Sequence, residues 1–216
     1  MARGATVVGP TDPHLRLRAP GTIFSPDMLA RREPGRTCAR EKGRDDGSFT
    51  REEEMVAEKI CQELERKRAD DRPFDQLLMD AVQMLHDSNP RFHWTGIYEL
   101  FPDDVLRLGP FVGAATDHVF IAVGRGVCGT AVAEKRNLNI PDVSKAENYL
   151  ACSAATKSEL VVLIRSGDRI FAQIDIDSHE VDAFDEDDVR TVERVAEWLA
   201  AVYEHREQPT EQAFVR

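Results

Sequence analysis

The feature of the sequence that most constrains the fold is a pair of strand patterns joined by a short turn. Residues 160–164 form a continuous apolar run, which predicts a strand buried on both faces. Residues 166–168 (Ser-Gly-Asp) are typical of a hairpin turn, and residues 170–177 then alternate apolar and polar side chains with period two. Because a short turn joins the two runs, we expect them to pair as neighbours in an antiparallel sheet.

The remaining patterns place helices before and after more strands. The apolar spacing predicts helices at 51–68, with a stripe at Val56, Ile60 and Leu64, and at 73–86. A last helix is expected to be capped by Asp185. Further strands are predicted at 93–100, 105–108, 119–123 and 138–140, with a short helix at 127–134 and an irregular polar stretch at 144–157. This order predicts an α+β fold, with five or six antiparallel strands and the helices gathered on one side.

The charge divides the chain into parts. The whole chain has a net charge of −11, which argues against a nucleic-acid groove. Residues 1–50 nevertheless carry nine basic and six acidic side chains and 11 of the 24 Gly and Pro residues. We interpret 1–50 as a disordered extension, either without function or binding something acidic, 51–205 as the folded domain and 206–216 as a polar tail.

The length of the apolar runs bears on location. No run approaches the roughly 18 apolar residues that a membrane span needs, and no secretory signal pattern opens the sequence. We therefore expect a cytoplasmic protein.

The four cysteines, Cys38, Cys61, Cys128 and Cys152, have no CxxC spacing. A disulfide scaffold or a four-cysteine zinc site is therefore not expected, and we predict no metal. Cys61 fits as a small apolar filler of the first helix. Cys128 follows a glycine-rich turn near a helix start, where thiolates are stabilised, and Cys152 lies in a polar loop. The two are either a redox pair in loops that bracket a pocket or unrelated cysteines.

Acidic residues gather near the ends of the two strands of the hairpin. Asp175 and Asp177 lie two residues apart, so they share one face of the last strand, and Glu159 directly precedes the apolar run. Burial beside a like charge would raise one pKa or attract a cation. These acids either form a ligand pocket or are a solvated polar edge.

Six blocks of sequence, in order, resemble the free methionine-(R)-sulfoxide reductases, which are enzymes built on a GAF domain. The resemblance covers about 52–204, and the blocks are WTGIY at 94–98, LGPF at 108–111, GRGVCGTA at 124–131, LACS at 150–153, SELVV at 158–162 and DIDS at 175–178. It implies a GAF-like central antiparallel sheet of about five to six strands, flanked by N- and C-terminal helices.

The resemblance also implies a reaction. The family reduces the R epimer of free methionine sulfoxide with thiol chemistry, with no bound cofactor and with thioredoxin and NADPH as the external reductant. Cys152 matches the nucleophile, which becomes a sulfenic acid, and Cys128 matches a cysteine that resolves it to a disulfide. The opposite assignment of the two cysteines stays open. A homodimer through the terminal helices is a further possibility.

The same resemblance assigns the substrate pocket. Glu159, Asp175 and Asp177 match the carboxylates that hold the ammonium group and the sulfoxide oxygen. Trp94 and Tyr98, four residues apart on one strand face, match the aromatic wall around the methylthio end. His118 stands where typical members carry a third cysteine. This departure keeps an alternative open, namely a GAF domain that binds a small ligand without turning it over.

Overall fold

The structure is a computed structural model, and it describes residues 53–146, 150 and 154–206. The helices are α1 (Glu53–Ala69), α2 (Phe74–Ser88), α3 (Gly126–Glu134) and α4 (Glu186–Glu204), with a 3₁₀ turn at Val143–Lys145. The strands are β1 (Trp94–Leu100), β2 (Val105–Val112), β3 (Phe120–Ala122), β4 (Leu138–Ile140), β5 (Ser158–Ser166) and β6 (Arg169–Ser178). The extension predicted over 1–50 lies outside the described residues, as do 207–216 of the predicted tail.

The six strands form one antiparallel sheet in the order β3-β2-β1-β6-β5-β4. This confirms the predicted α+β fold. The hairpin of β5 and β6 pairs from Ser158 with Ser178 to Ser166 with Arg169. Its turn contains Gly167 at a φ of +56°, a left-handed conformation that glycine adopts at little cost. Strand β6 also pairs with β1, so these two strands form the centre of the sheet, and β5 lies between β6 and the edge strand β4.

Helices cover both faces of the sheet, and the prediction that they gather on one side is wrong. On one face, α1, α2 and α4 form a core with apolar side chains such as Leu160 and Ile174. On the other face, α3 packs through Val127 and Ala131 in a second core that includes Val161. Successive residues of β5 therefore point into two different cores, which explains its continuous apolar run.

Two local predictions hold and one needs correction. Asp185 caps α4, accepting hydrogen bonds from the backbone N–H groups of Asp187 and Asp188. The Cys61 side chain is buried on α1 as predicted, and its thiol donates to the Arg194 carbonyl across 3.8 Å. Val56 does not belong to the buried stripe of α1: it is exposed, because the helix turns Ala57 inward instead.

Strand β2 is longer than the predicted 105–108, because it continues to pair with β1 as far as Val112 opposite Thr95, past an irregularity between Gly96 and Tyr98. Among the described helices, none combines the length and the apolar composition that crossing a bilayer requires.

Candidate active site

Three carboxyl groups meet on the sheet face that α3 covers. Strand β6 places Asp175 and Asp177 two residues apart, and the register of the hairpin puts Glu159 directly opposite Asp177. Asp175, Glu159 and Asp177 are only 1%, 2% and 4% exposed. Because all three acids are buried, the alternative interpretation that they form a solvated polar edge is wrong.

The Cys128 thiol lies against this acidic group. Cys128 is the third residue of α3, and its Sγ donates to Glu159 Oε1 across 3.7 Å. Cys128 is buried, and it lies in the helix that was predicted at 127–134; the alternative that placed its thiol in an open loop beside a pocket is wrong. The next residue, Gly129, permits this approach, since a Cβ there would lie 2.4 Å from the Ala122 carbonyl oxygen.

Burial keeps these acids from ionising normally. It raises the pKa of Asp175 to about 7, although the neighbouring Cys128 thiol acts to lower it. Burial, together with the charge of Asp175, also raises the pKa of Asp177 and of Glu159 well above their ordinary values. The group therefore carries fewer than three negative charges near neutral pH, and it can both hold a cation and give up a proton.

The same side chains have the spacing of metal ligands. Cys128 Sγ and one oxygen each of Glu159 and Asp175 lie within 4.8 Å of one another. A thiolate and two carboxylates could coordinate a divalent ion with open positions. The absence of a metal, which the cysteine spacing led us to expect, stays a prediction.

An aromatic wall stands beside the acids. The Trp94 and Tyr98 rings lie on the same face with centroids 6.3 Å apart, and Phe111 stacks on Trp94 at 5.6 Å. The Trp94 indole N–H donates to the Ala114 carbonyl, and the Tyr98 hydroxyl donates to the His118 carbonyl. These bonds fix both rings, and they place the backbone at His118 next to the wall.

Gly96 makes room for the Trp94 ring. A Cβ at Gly96 would lie 2.3 Å from the Trp94 Cη2 atom, because the indole folds over this residue. The Gly96→Ala variant is therefore expected to displace the indole, lower stability by roughly 1–3 kcal/mol and weaken ligand binding. Thermal unfolding and a ligand titration measure the two effects.

Gly109→Ala on the adjacent strand β2 is the matched control, since its Cβ would meet only the Ile97 carbonyl oxygen, at 3.2 Å. Equal losses in both variants would contradict the role given to the indole.

Cys152 lies outside the described residues, so the structure does not test whether it pairs with Cys128. Leu150, two residues earlier, is described: it packs against the core under α3. A Cβ at Gly126, the first residue of α3, would lie 2.9 Å from the Leu150 Cβ. Leu150 therefore lies against the start of the helix that carries Cys128.

The sequence analysis assigned no role to four polar side chains near this site. Gln173 and Thr156 are buried; within the described part of the chain the Gln173 amide has no hydrogen-bond partner, and the Thr156 hydroxyl lies close enough to Asp177 to lower its pKa. His93 and His179 stack at the rim with centroids 4.1 Å apart. The alternation of β6 already placed Gln173 on the face of the acids, but only the fold brings the other three there.

The fold and the site together are typical of one class of protein, the small-ligand domains. They combine a six-stranded antiparallel sheet with an acidic and aromatic site beneath a short helix. The GAF domain family model matches residues 73–203, and the chain belongs to this family. The predicted domain limits of 51–205 enclose this match.

Among its relatives are enzymes. The chain is 36% identical to the free methionine-R-sulfoxide reductase of Escherichia coli over 134 residues, which are 62% of this chain and 80% of the relative. It is also similar to the free methionine-R-sulfoxide reductase of Neisseria meningitidis, solved in complex with its substrate, with a TM-score of 0.64, 29% identity and coverage of 73% of this chain and 93% of that one. For the type II free methionine-R-sulfoxide reductase of Thermoplasma acidophilum, the TM-score is 0.58 at 36% identity, covering 60% and 91% of the two chains.

Proposed function

We propose that this protein reduces free L-methionine (R)-sulfoxide to methionine with a cysteine thiol as the reductant. The observation that carries the proposal is the buried contact of the Cys128 thiol with Glu159, next to the raised pKa of Asp175. A thiol, a proton donor and an aromatic wall are what reduction of a small sulfoxide requires. The similarity to enzymes with that activity supports the same conclusion.

The first step is a transfer of oxygen from one sulfur to another. The Cys152 thiolate attacks the sulfoxide sulfur, and the protonated carboxyl of Asp175 or Glu159 gives its proton to the sulfoxide oxygen. Methionine leaves as the thioether, reduced by two electrons, and Cys152 is left as a sulfenic acid. The acids serve this step because burial keeps a proton on them near neutral pH.

The second step restores the thiols. The Cys128 thiol attacks the Cys152 sulfenic acid, a disulfide forms and water leaves. Thioredoxin then reduces the disulfide by thiol exchange and is itself recycled with NADPH. Because the reductant is external, the protein needs no bound cofactor. We place this cycle in the cytoplasm. Two features favour Cys128 as the resolving thiol. The Cys128 thiol donates a hydrogen bond to Glu159, and the burial of Cys128 keeps this thiol away from solvent.

The ammonium group of a free amino acid suits the same acids. Asp177 lies at the outer end of the acidic group, where it borders a cavity of about 130 Å³ shared with Trp94. An ammonium group there would stabilise the ionised form of Asp177, while the methylthio end packs on the aromatic wall. The proposed pose therefore runs from Asp177 inward to Asp175, Glu159 and Cys128.

A coupled assay tests the proposal. The purified protein, with thioredoxin, thioredoxin reductase and NADPH, is expected to consume NADPH on addition of free L-methionine (R)-sulfoxide. The S epimer and a peptide containing methionine sulfoxide are expected to give only background, because the buried site fits one free amino acid. Equal rates with both epimers, or silence with all three, would refute the reductase proposal.

His118, at the position of the third family cysteine, favours one second candidate, a GAF domain that binds a small ligand without catalysis. The chain is also similar to a putative GAF sensor protein from Burkholderia vietnamiensis, with a TM-score of 0.62, 28% identity and coverage of 68% and 90% of the two chains. In that case methionine or its sulfoxide would bind, as a calorimetric titration would reveal, while NADPH consumption stayed at background.

A further inference from the structure

We infer that His179, supported by His93 and Lys157, binds the α-carboxylate of the amino-acid substrate. The three residues form a basic rim around the outer end of the acidic group. This inference rests on the proposed function in that it takes a free amino acid as the ligand. It adds a specificity-determining site to the carboxylates and the aromatic wall.

The sheet brings the three residues together. Strand β1 begins just after His93, β6 ends just before His179 and β5 begins just after Lys157, so the three residues lie at one end of three adjacent antiparallel strands. Backbone hydrogen bonds hold this end closed: the His93 N–H donates to Asp177, and the Lys157 N–H donates to Ser178. The rim is therefore built on paired strand ends.

The histidines border the proposed substrate cavity directly. His93, His179, Asp177 and Trp94 all line the cavity of about 130 Å³, together with Thr156. The acid at its inner side and the basic side chains at its rim lie next to each other. An amino acid is a zwitterion whose two charges are separated by one carbon atom, so this arrangement matches both of its ends.

His179 is the histidine available for binding. One ring nitrogen of His93, Nδ1, lies 2.8 Å from the Arg91 carbonyl and accepts a hydrogen bond from the His179 backbone N–H across 3.2 Å. Within the described part of the chain, neither ring nitrogen of His179 has a hydrogen-bond partner, while its ring stacks on His93 at 4.1 Å. His93 therefore holds the position of His179, whose ring nitrogens are left to meet a ligand.

The charges around the rim favour an anion. Burial is the main cause that lowers the pKa of His179, and the neighbouring His93 and Lys157 act in the same direction. An incoming carboxylate would accept a hydrogen bond from a ring N–H of His179 and would be attracted to the Lys157 ammonium. A substrate whose carboxylate is blocked, as in a peptide, would lose this interaction, so the rim gives a physical reason for selecting the free amino acid.

Calorimetric binding of two ligands to the full chain tests the inference without depending on turnover. L-Methionine carries the carboxylate, and L-methioninamide keeps the ammonium and the side chain but lacks the carboxylate. The unmodified protein is expected to bind the amide roughly tenfold or more weakly, the value of one lost charge-assisted hydrogen bond. The His179→Ala variant is expected to bind both ligands with similar, weak affinity.

Further variants separate recognition from folding. Lys157→Ala is expected to reduce the preference for methionine partially. His93→Asn keeps an acceptor for the His179 N–H and is expected to act less strongly than His179→Ala. The control is His205→Ala, an exposed histidine at the end of α4, which should leave the preference unchanged. The corresponding sulfoxides, used as substrates, should give a higher KM in His179→Ala with kcat nearly unchanged.

Each outcome decides the inference. Equal binding of methionine and its amide by the unmodified protein, a preference that survives in His179→Ala, or no binding of methionine at all would overturn it. If the protein turns over free methionine (R)-sulfoxide but gives any of these binding results, the reductase function is supported and only the carboxylate site at the rim is refuted. If His179→Ala abolishes the preference for methionine over its amide but the protein shows no turnover, the carboxylate site is supported and the reductase function is refuted.

Discussion

The Cys152→Ser variant is expected to lose thioredoxin-linked reduction of free methionine (R)-sulfoxide to background, a fall of roughly a thousandfold or more. A serine hydroxyl in place of the attacking thiolate is a far weaker nucleophile toward sulfur, and it cannot form a sulfenic acid. The measurement is NADPH consumption at saturating substrate, with circular dichroism to confirm that the variant is folded.

Cys128→Ser separates the two thiols. This variant keeps the attacking thiol but lacks the resolving one, so it is expected to release about one methionine per chain and then stop. A dimedone-type probe, which traps sulfenic acid, should label Cys152 in this variant after substrate is added. Full thioredoxin-linked turnover by Cys128→Ser would show that another thiol resolves the intermediate, or that the two roles are exchanged.

Cys61→Ala is the matched control for both cysteine variants. Cys61 is buried like Cys128, but it lies on α1 in the core on the other face of the sheet. Its removal is expected to lower stability modestly through lost packing and to leave turnover unchanged. A loss of turnover in Cys61→Ala comparable to that of Cys128→Ser would mean that the effect reports packing and not thiol chemistry.

The Asp175→Asn variant is expected to lose activity while gaining stability at alkaline pH. The amide has almost the same shape as the carboxyl, but it cannot give a proton to the sulfoxide oxygen. It also removes a charge that burial makes costly. A single substitution that raises stability and removes activity indicates a carboxyl retained for chemistry.

The sign of the pH effect follows from the raised pKa of Asp175. Because its folded pKa of about 7 lies above the ordinary 3.8, the carboxyl costs no stability when both states are protonated. The folded state becomes progressively less stable as pH rises from about 4 to about 7, and the loss stays constant above that range. The full difference of about three pKa units corresponds to about 4 kcal/mol as an upper bound at pH 8.

Denaturation at two pH values measures this effect. Asp175→Asn is expected to be more stable than the unmodified protein at pH 8 by roughly 1–4 kcal/mol, and by no more than about 1 kcal/mol at pH 4.5. Asp142→Asn is the control, since hydrogen bonds from Ser144 and Lys145 lower the pKa of Asp142 to about 2. Asp142→Asn should show no gain at pH 8 and no loss of activity. A gain for Asp175→Asn of the same size at both pH values would contradict the titration argument.

Part of this site follows from local sequence. Period-two alternation alone places Asp175 and Asp177 on one face of a strand, because side chains alternate whatever the strand pairs with. The same argument places Trp94 and Tyr98 on one face of β1. The strand patterns and the order of elements similarly lead to the antiparallel α+β fold, and the motif blocks lead to the GAF family.

Distances and burial do not follow from local sequence. Nothing near Cys128 along the chain indicates that its thiol contacts Glu159, 31 residues away, because that contact depends on α3 crossing the sheet face opposite to α1, α2 and α4. The sequence predicted the short helix that carries Cys128, but not its close seating against the sheet, which depends on Gly129 having no side chain. Helix placement depends on packing between distant segments, and periodicity carries no information about it.

The sequence by itself determined the strands, their polar and apolar faces, the cap of the last helix and the family, all of which depend on residues close together in the chain. Tertiary structure alone decided which face each helix covers, how deeply the acids are buried and that His93, Lys157 and His179 meet. The physical reason is that burial and electrostatic coupling depend on the neighbours that a side chain acquires when separated strands pair. The raised pKa of Asp175 therefore belongs to the folded protein, whereas the position of Asp175 on its strand is already set by the sequence.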